Sequence, residues 1–234
     1  MKAALPLAVL SAAVISSAAL GYILPGGFLL AKVAEHRNAG ALTALVIDGT
    51  AAVMTAGGEV SGVARIEWKT PGSLEIRVSS SGTESIRIDG GRLVTNTPGM
   101  KPLAGVVSGV AGALLLMFPS PATSTELGSK LASMNVNMGK SCLARFHGRV
   151  ATVLGAGAGD RASPQVWIDK DSFQILRMIL PAAPGGAATD IKFTDYQSSP
   201  LQGRFPRSIE IWSKGVPLFR FEADQVRGAG QPEE

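Results

Sequence analysis

The back half of the chain alternates apolar with polar residues through one segment after another. The segments are Pro164-Gln-Val-Trp-Ile-Asp-Lys-Asp-Ser-Phe-Gln-Ile-Leu-Arg177, Thr189-Asp-Ile-Lys-Phe-Thr-Asp-Tyr196, Phe205-Pro-Arg-Ser-Ile-Glu-Ile-Trp212 and Val216-Pro-Leu-Phe-Arg-Phe-Glu-Ala-Asp-Gln-Val226. A period of two sorts side chains onto the two faces of a sheet, one wet and one oily. Such a sheet, curled and covered, is a container. It points to binding an apolar ligand rather than transforming it.

The front half extends the pattern. Ala44–Thr55 reads as a strand with Gly49 as a bulge, and Glu59–Lys69 as its partner, with Val63, Ile66 and Trp68 at apolar positions. Ser73–Ser79 alternates Leu74, Ile76 and Val78 with Glu75 and Arg77, and Ser85–Asp89 repeats this through Ile86 and Ile88. Asp89-Gly90-Gly91 is a hairpin turn into Arg92–Asn96. Consecutive hairpins of this kind build an antiparallel meander. The sheet resumes over Lys140–Leu154, and four or five further strands run to Arg227.

Three segments read as helices. Gly27–Gly40 places Leu29, Leu30, Val33 and Ala34 on one face, with Lys32, Glu35 and Arg37 elsewhere. Gly105–Phe118 is apolar on nearly every side; Gly105, Gly109 and Gly112 share a face suited to close approach, opposite Val106, Val110, Leu114 and Met117. It is short for a membrane span and fits a buried or interfacial helix. Ser124–Met134 starts with Ser124 and Thr125 as caps and presents Leu127 and Leu131. The expected fold class is α+β: a strongly curved antiparallel sheet, an incomplete β-barrel of about ten or eleven strands, wrapped over a few helices.

Residues 1–21 carry Lys2, an uncharged stretch rich in Ala, Leu and Val, and small residues at the end, which are the marks of a secretory signal. The rival reading is an uncleaved anchor, because no charge occurs from Ala3 to Ala31; Pro25-Gly26-Gly27 breaks that run. Residues 22–227 then form the folded domain and 228–234 a disordered tail. The single cysteine, Cys142, rules out an intramolecular disulfide and does not follow the leader, so lipoprotein-type acylation of the chain is not expected. Cys142 reads as a small strand hydrophobe rather than a reactive thiol.

Chemistry-bearing patterns are scarce. The formal charge of +4 comes without a basic cluster interleaved with aromatics, so nucleic acid is not an expected partner. Arg204, Arg207, Arg220 and Arg227 are spaced as on a solvated face. Gly155–Gly159 lies between two strands and reads as a turn, not a dinucleotide loop. Asp169 and Asp171 read as turn formers rather than paired catalytic carboxylates. His36 and His147 lie far apart, and there is no GxSxG, P-loop, HExxH or EF-hand pattern. No catalytic residue, metal or cofactor is assigned, and an enzyme is not expected. Trp68, Trp167 and Trp212 lie in strands, as cavity lining, core packing or rim.

Several segments together resemble the outer-membrane lipoprotein carrier superfamily, the LolA/LolB-like fold. They are Ala34-Glu-His-Arg37 before Val46-Ile-Asp-Gly-Thr50, Val150–Gly155 with its glycine turn, and the hairpin Val166–Arg177 followed by Ile191–Tyr196 and Phe205–Ile211. The resemblance implies an incomplete barrel closed by helices, with an apolar cavity for acyl chains. No single residue aligns with the regulatory arginine of the carriers. The function it implies is a periplasmic carrier or chaperone of lipid or acylated lipoprotein, with an inner-membrane donor and an outer-membrane acceptor as partners. The alternative on the same scaffold is an envelope-stress sensor or regulatory lipid-binding protein, held at the inner membrane by an uncleaved N-terminal segment. Strand parity assigns Ile66, Trp68, Leu74, Ile76, Ile86 and Ile88 to the cavity wall, and Val106, Val110, Leu114 and Met117 to a lid or plug helix.

Overall fold

The computed structural model describes residues 24–118, 120–181, 188–196 and 205–228. The leader, Arg204 and the tail beyond Gly228 lie outside the described residues. The first helix, α1 (Gly26–Ala39), leads into five strands: β1 (Ala44–Thr55), β2 (Gly58–Lys69), β3 (Ser73–Ser79), β4 (Thr83–Asp89) and β5 (Arg92–Asn96). A single 3-10 turn (Pro98–Met100), α2 (Lys101–Leu115) and α3 (Ser124–Ser133) follow. The chain then returns to the sheet through β6 (Ser141–Phe146), β7 (Arg149–Leu154), β8 (Gln165–Asp169), β9 (Ile175–Leu180), β10 (Thr189–Thr194), β11 (Ser208–Ser213) and β12 (Val216–Gly228).

All twelve strands join one antiparallel sheet in the order β5-β4-β3-β2-β1-β12-β11-β10-β9-β8-β7-β6. The extra strand relative to the sequence reading comes from Lys140–Leu154, which is a hairpin rather than one strand. His147 (φ 48°) and Gly148 (φ 81°) both take the left-handed conformation that a two-residue turn between twisted strands requires. A His-Gly pair carries that signal more weakly than Asn-Gly. The first and last strands, β1 and β12, pair with each other and fuse the two meanders. The edges β5 and β6 stay apart, so the sheet is curved but not closed, and α2 and α3 form the connection between them.

Register makes the inner face continuous. Ile47, Ile66, Ile76 and Ile86 stand opposite one another across β1–β4, and Leu45, Trp68, Leu74 and Ile88 form a second row. All eight are at most 2% exposed. The opposite parity carries the charges: Arg65 pairs with Asp48 at 2.7 Å, and Arg77 reaches Glu75 at 2.8 Å and Glu67 at 3.0 Å. Val63 falls on this outer parity and is 68% exposed, so it does not share a face with Ile66 and Trp68. Of the arginines expected on a solvated face, Arg207 and Arg220 are exposed, whereas Arg227 is half-buried against Asp48. The bulge at Asp48/Gly49 tightens the β1–β12 joint, and a Cβ at Gly49 would lie 2.0 Å from the Glu222 carbonyl oxygen.

The helices depart from expectation in three ways. The second begins at Lys101 rather than Gly105, because Pro102 sits in its first turn, where a missing N–H costs nothing. It also stops at Leu115, so Met117 lies beyond its end. Gly105 and Gly109 have no neighbour in reach of a Cβ and face outward rather than allowing close approach; only Gly112 meets another element, with Met134 Cε at 3.4 Å. The cap of α3 is Thr123, not Ser124 or Thr125: its hydroxyl accepts from the Glu126 N–H at 3.1 Å, and the Glu126 carboxylate accepts from the Thr123 N–H at 2.7 Å.

These glycines make opposite predictions. Gly109→Ala removes backbone freedom from an open helical position and is expected to stabilise by about 0.5–1 kcal/mol. Gly49→Ala drives a methyl into the β12 backbone and is expected to lower the melting temperature or prevent folding. Thermal unfolding followed by circular dichroism measures both.

Candidate functional site

The site lies inside the curve of the sheet, where α1, α2 and the segment leaving α2 meet the apolar rows. The buried face of α2 is Leu103, Ala104, Val107, Val110, Ala111, Ala113 and Leu114. Of the residues assigned to a plug, Val110, Leu114 and Met117 are buried and Val106 is half-buried. The six wall residues belong to the same core cluster. With its preceding 3-10 turn, α2 makes an 18-residue run, Pro98–Leu115, apolar enough by length and composition to cross a bilayer. Here 44% of that run is buried against the rest of the molecule.

Phe118, just past α2, enters the interior. It is fully buried, stacked on Trp68 with ring centroids 5.2 Å apart and planes within 5°, and tilted against Phe205 at 5.4 Å. The wall and the plug therefore meet at an aromatic stack. Such pairs contribute about 0.5–1.5 kcal/mol beyond the area they bury. Sequence reading placed Phe118 at the end of the helix and gave it no role.

Two adjacent residues at the end of α1 clamp the segment that carries Phe118. The Arg37 guanidinium donates from Nη1 to the Leu116 carbonyl, an orphan acceptor at the C-terminus of α2, and from Nη2 to Ser120 Oγ at 2.9 Å. Asn38 donates from Nδ2 to the Ala122 carbonyl at 3.1 Å, and its Oδ1 accepts from the Ala122 N–H at 3.0 Å. Arg37 is 7% exposed, and burial lowers its pKa to about 10. It remains a cation at neutral pH. The sequence did carry a signal for it: Leu29, Leu30, Val33, Ala34 and Arg37 all fall on the buried face of α1, so Arg37 continues the apolar stripe instead of lying off it.

Between these parts remains a cavity of about 40 Å³, bordered by Val33, Arg37, Leu116, Phe118, Phe173 and Tyr196. That volume holds a water-sized group and no acyl chain. The site is closed and filled by its own side chains. Tyr196 donates to the Ile175 carbonyl at 2.7 Å, and burial raises its phenol pKa.

The remaining candidate residues lie elsewhere. Trp167 and Trp212 are half-buried on the outer face, under Arg177 at 5.2 Å and Lys192 at 4.2 Å respectively, a rim position rather than the interior. Asp169 organises a turn, accepting from the backbone N–H groups of Asp171 and Ser172, and binds Arg149 at 2.8 Å. Cys142 is half-buried on β6, and burial raises its thiol pKa, which disfavours the thiolate. Among the described residues no group of three His, Cys, Asp or Glu side chains is placed to hold a metal ion.

No protein-family model and no curated protein matches the chain. Solved structures do. A LolA superfamily protein from Nitrosomonas europaea superposes with a TM-score of 0.50 at 11% identity, over 89% of this chain and 96% of its own. A Vibrio parahaemolyticus domain named for outer-membrane lipoprotein sorting gives 0.45 at 12% identity, over 87% and 93%. MucB of Pseudomonas aeruginosa, solved with MucA, gives 0.31 at 16% identity, over 90% of this chain and 59% of that one. The Nitrosomonas structure defines the architecture: the chain has the LolA-superfamily fold, an open curved antiparallel sheet with helices across its opening.

Phe118 tests the closed packing. Phe118→Ala leaves Trp68 and Phe205 without a partner and opens a cavity, with an expected loss of about 3–5 kcal/mol. Urea unfolding is the measurement, and a loss under about 1 kcal/mol would show that the stack adds little to the closed state.

Proposed function

We propose that this chain is a periplasmic carrier or chaperone of lipid or acylated lipoprotein, exported through residues 1–21, with residues 22–227 as the binding domain. The observation that carries the reading is the interior itself. An open sheet of the LolA-superfamily fold presents two full rows of apolar side chains, and these rows are covered by a helix and an aromatic plug rather than by a second sheet. Ile66, Trp68, Leu74, Ile76, Ile86 and Ile88 would form the wall of the acyl site once Val106, Val110, Leu114 and Met117 move with α2 and Phe118.

The energetics suit a carrier. Each buried CH₂ contributes about 0.8 kcal/mol, so a chain of about a dozen carbons offers about 10 kcal/mol before the costs of association. Displacing Phe118 and undoing the Arg37 and Asn38 hydrogen bonds would consume a large part of that. The remainder permits capture from water and release to a better acceptor. An inner-membrane donor and an outer-membrane acceptor are the partners such a role needs.

The test is native mass spectrometry of the mature protein purified from envelope extracts, with lipid extraction of the same sample. A near-stoichiometric acylated species is expected. A protein that purifies empty and takes up neither added fatty acid nor lipopeptide would mean that α2 and Phe118 are permanent core, and the carrier role would fall.

A further inference from the structure

Two charged residues are buried among the described residues, Arg37 and Asp169. Asp169 has its counter-charge in Arg149. Arg37 has none: its partners are a carbonyl and a hydroxyl, and its Nε is buried with no hydrogen-bond partner. The titratable groups that border the cavity with it are His36 and Tyr196, neither of which supplies a negative charge at neutral pH. A buried cation without an anion is an incomplete electrostatic arrangement, costly by desolvation and improved by a ligand that supplies the charge.

The geometry of the open donor narrows the ligand. Nε and Nη2 lie on one edge of a guanidinium, and that edge matches the two oxygens of a carboxylate. The molecule uses it in this way elsewhere: Arg177 holds Asp190 through Nε and Nη2, both at 2.7 Å, and Arg65 holds Asp48 at 2.7 and 3.4 Å. In Arg37 the same edge has an unpartnered Nε, while Nη2 is held by Ser120 Oγ, a neutral acceptor that a carboxylate outcompetes. Around this point the cavity is mainly apolar, through Val33, Leu116, Phe118 and Phe173, with His36, Gln174 and Tyr196 as its other polar borders. A single cation set in an oily pocket suits a molecule with one anionic end and one hydrocarbon tail.

We propose that Arg37 is the headgroup receptor of the interior and binds the carboxylate of a single-chain amphiphile, a long-chain fatty acid, whose tail takes the space of Phe118. This rests on the reading that the interior accepts acyl chains. Because Ser120 belongs to the clamped segment, seating the carboxylate on Nε and Nη2 also removes one of the hydrogen bonds that hold Phe118 in place.

The experiment is isothermal titration calorimetry of the full chain with dodecanoate, 1-dodecanol and dodecyl phosphate, each below its aggregation concentration. Dodecanoate is expected to bind about tenfold or more tighter than 1-dodecanol, the margin of a charge-assisted hydrogen-bonded pair. Arg37→Met is expected to abolish that margin, so that acid and alcohol bind alike whatever the change in their common affinity, and Arg37→Lys to keep part of it. Equal binding of acid and alcohol to the unsubstituted protein would overturn the headgroup assignment and leave acyl binding intact. Preference for dodecyl phosphate over dodecanoate by more than about tenfold would overturn the carboxylate. If none of the three binds, the acyl-binding reading falls, and this proposal with it. The comparison within the unsubstituted protein decides even if an Arg37 variant does not fold.

Discussion

A sheet with one largely apolar face and two unjoined edges has to be covered by something, and that requirement organises the rest of the molecule. Had β5 and β6 met, the rows built on Ile66 and Trp68 would have packed against the opposite wall of a barrel. They do not meet: the chain leaves the sheet at one edge, β5, and re-enters at the other, β6. Among the described residues the connection itself, together with α1, covers the opening. Its covalent placement explains why α2 is buried on one side and lined with Gly105, Ser108 and Gly109 on the other. The inner side must supply hydrocarbon to the rows, and the outer side needs only to avoid presenting more of it to water.

The cover is held by two kinds of force with different reach. The Trp68–Phe118–Phe205 contact is non-directional and grows with buried area, so it is lost gradually as the plug withdraws. The Arg37 and Asn38 clamp is directional and is lost abruptly. Its net contribution is limited by the guanidinium's own desolvation, which is large enough to bring the pKa down to about 10. A clamp built from a neutral side chain would have held the segment without that cost. The charge at this position carries that desolvation cost and offers an incoming anion a partner.

The alternation of the sheet was legible because register propagates. Once Ile66 and Trp68 are assigned inward, antiparallel pairing obliges Ile76, Leu74, Ile86 and Ile88 to follow. Val63 escaped because an apolar residue in a strand of mostly outward-facing polar neighbours looks like part of the inner set unless its parity is counted. The start of α2 was obscured by Pro102, which marks a helix boundary from outside and is equally at home in a first turn. Arg37 and Phe118 were harder for a common reason: a charge is read as surface and a phenylalanine at a helix end as ordinary core. The role of each comes from a partner about eighty residues away in one case and fifty in the other, Leu116 for Arg37 and Trp68 for Phe118. Local periodicity could place Arg37 on the buried face of α1, but no local pattern could name what it meets.

The distribution of charge separates scaffold from site. On the outer face acids and bases alternate across strands and answer one another, as Asp48 does Arg65, Asp190 does Arg177 and Glu210 does Lys192. Those pairs sit half in water, where their contribution is small and salt-dependent, and they keep the outer parity wet and the register single. Inside, the same pairing rule is broken at Arg37. A structural role would have been served better by giving that arginine an acid, as Asp169 received Arg149, or by replacing it with a hydrocarbon that matched Val33. The clamp accounts for the Nη1 and Nη2 donors of Arg37 but not for its unpartnered Nε or its missing counter-charge. A ligand that carries its own anion into the interior supplies one, and it accounts at once for the charge, the open donor and the apolar walls around them.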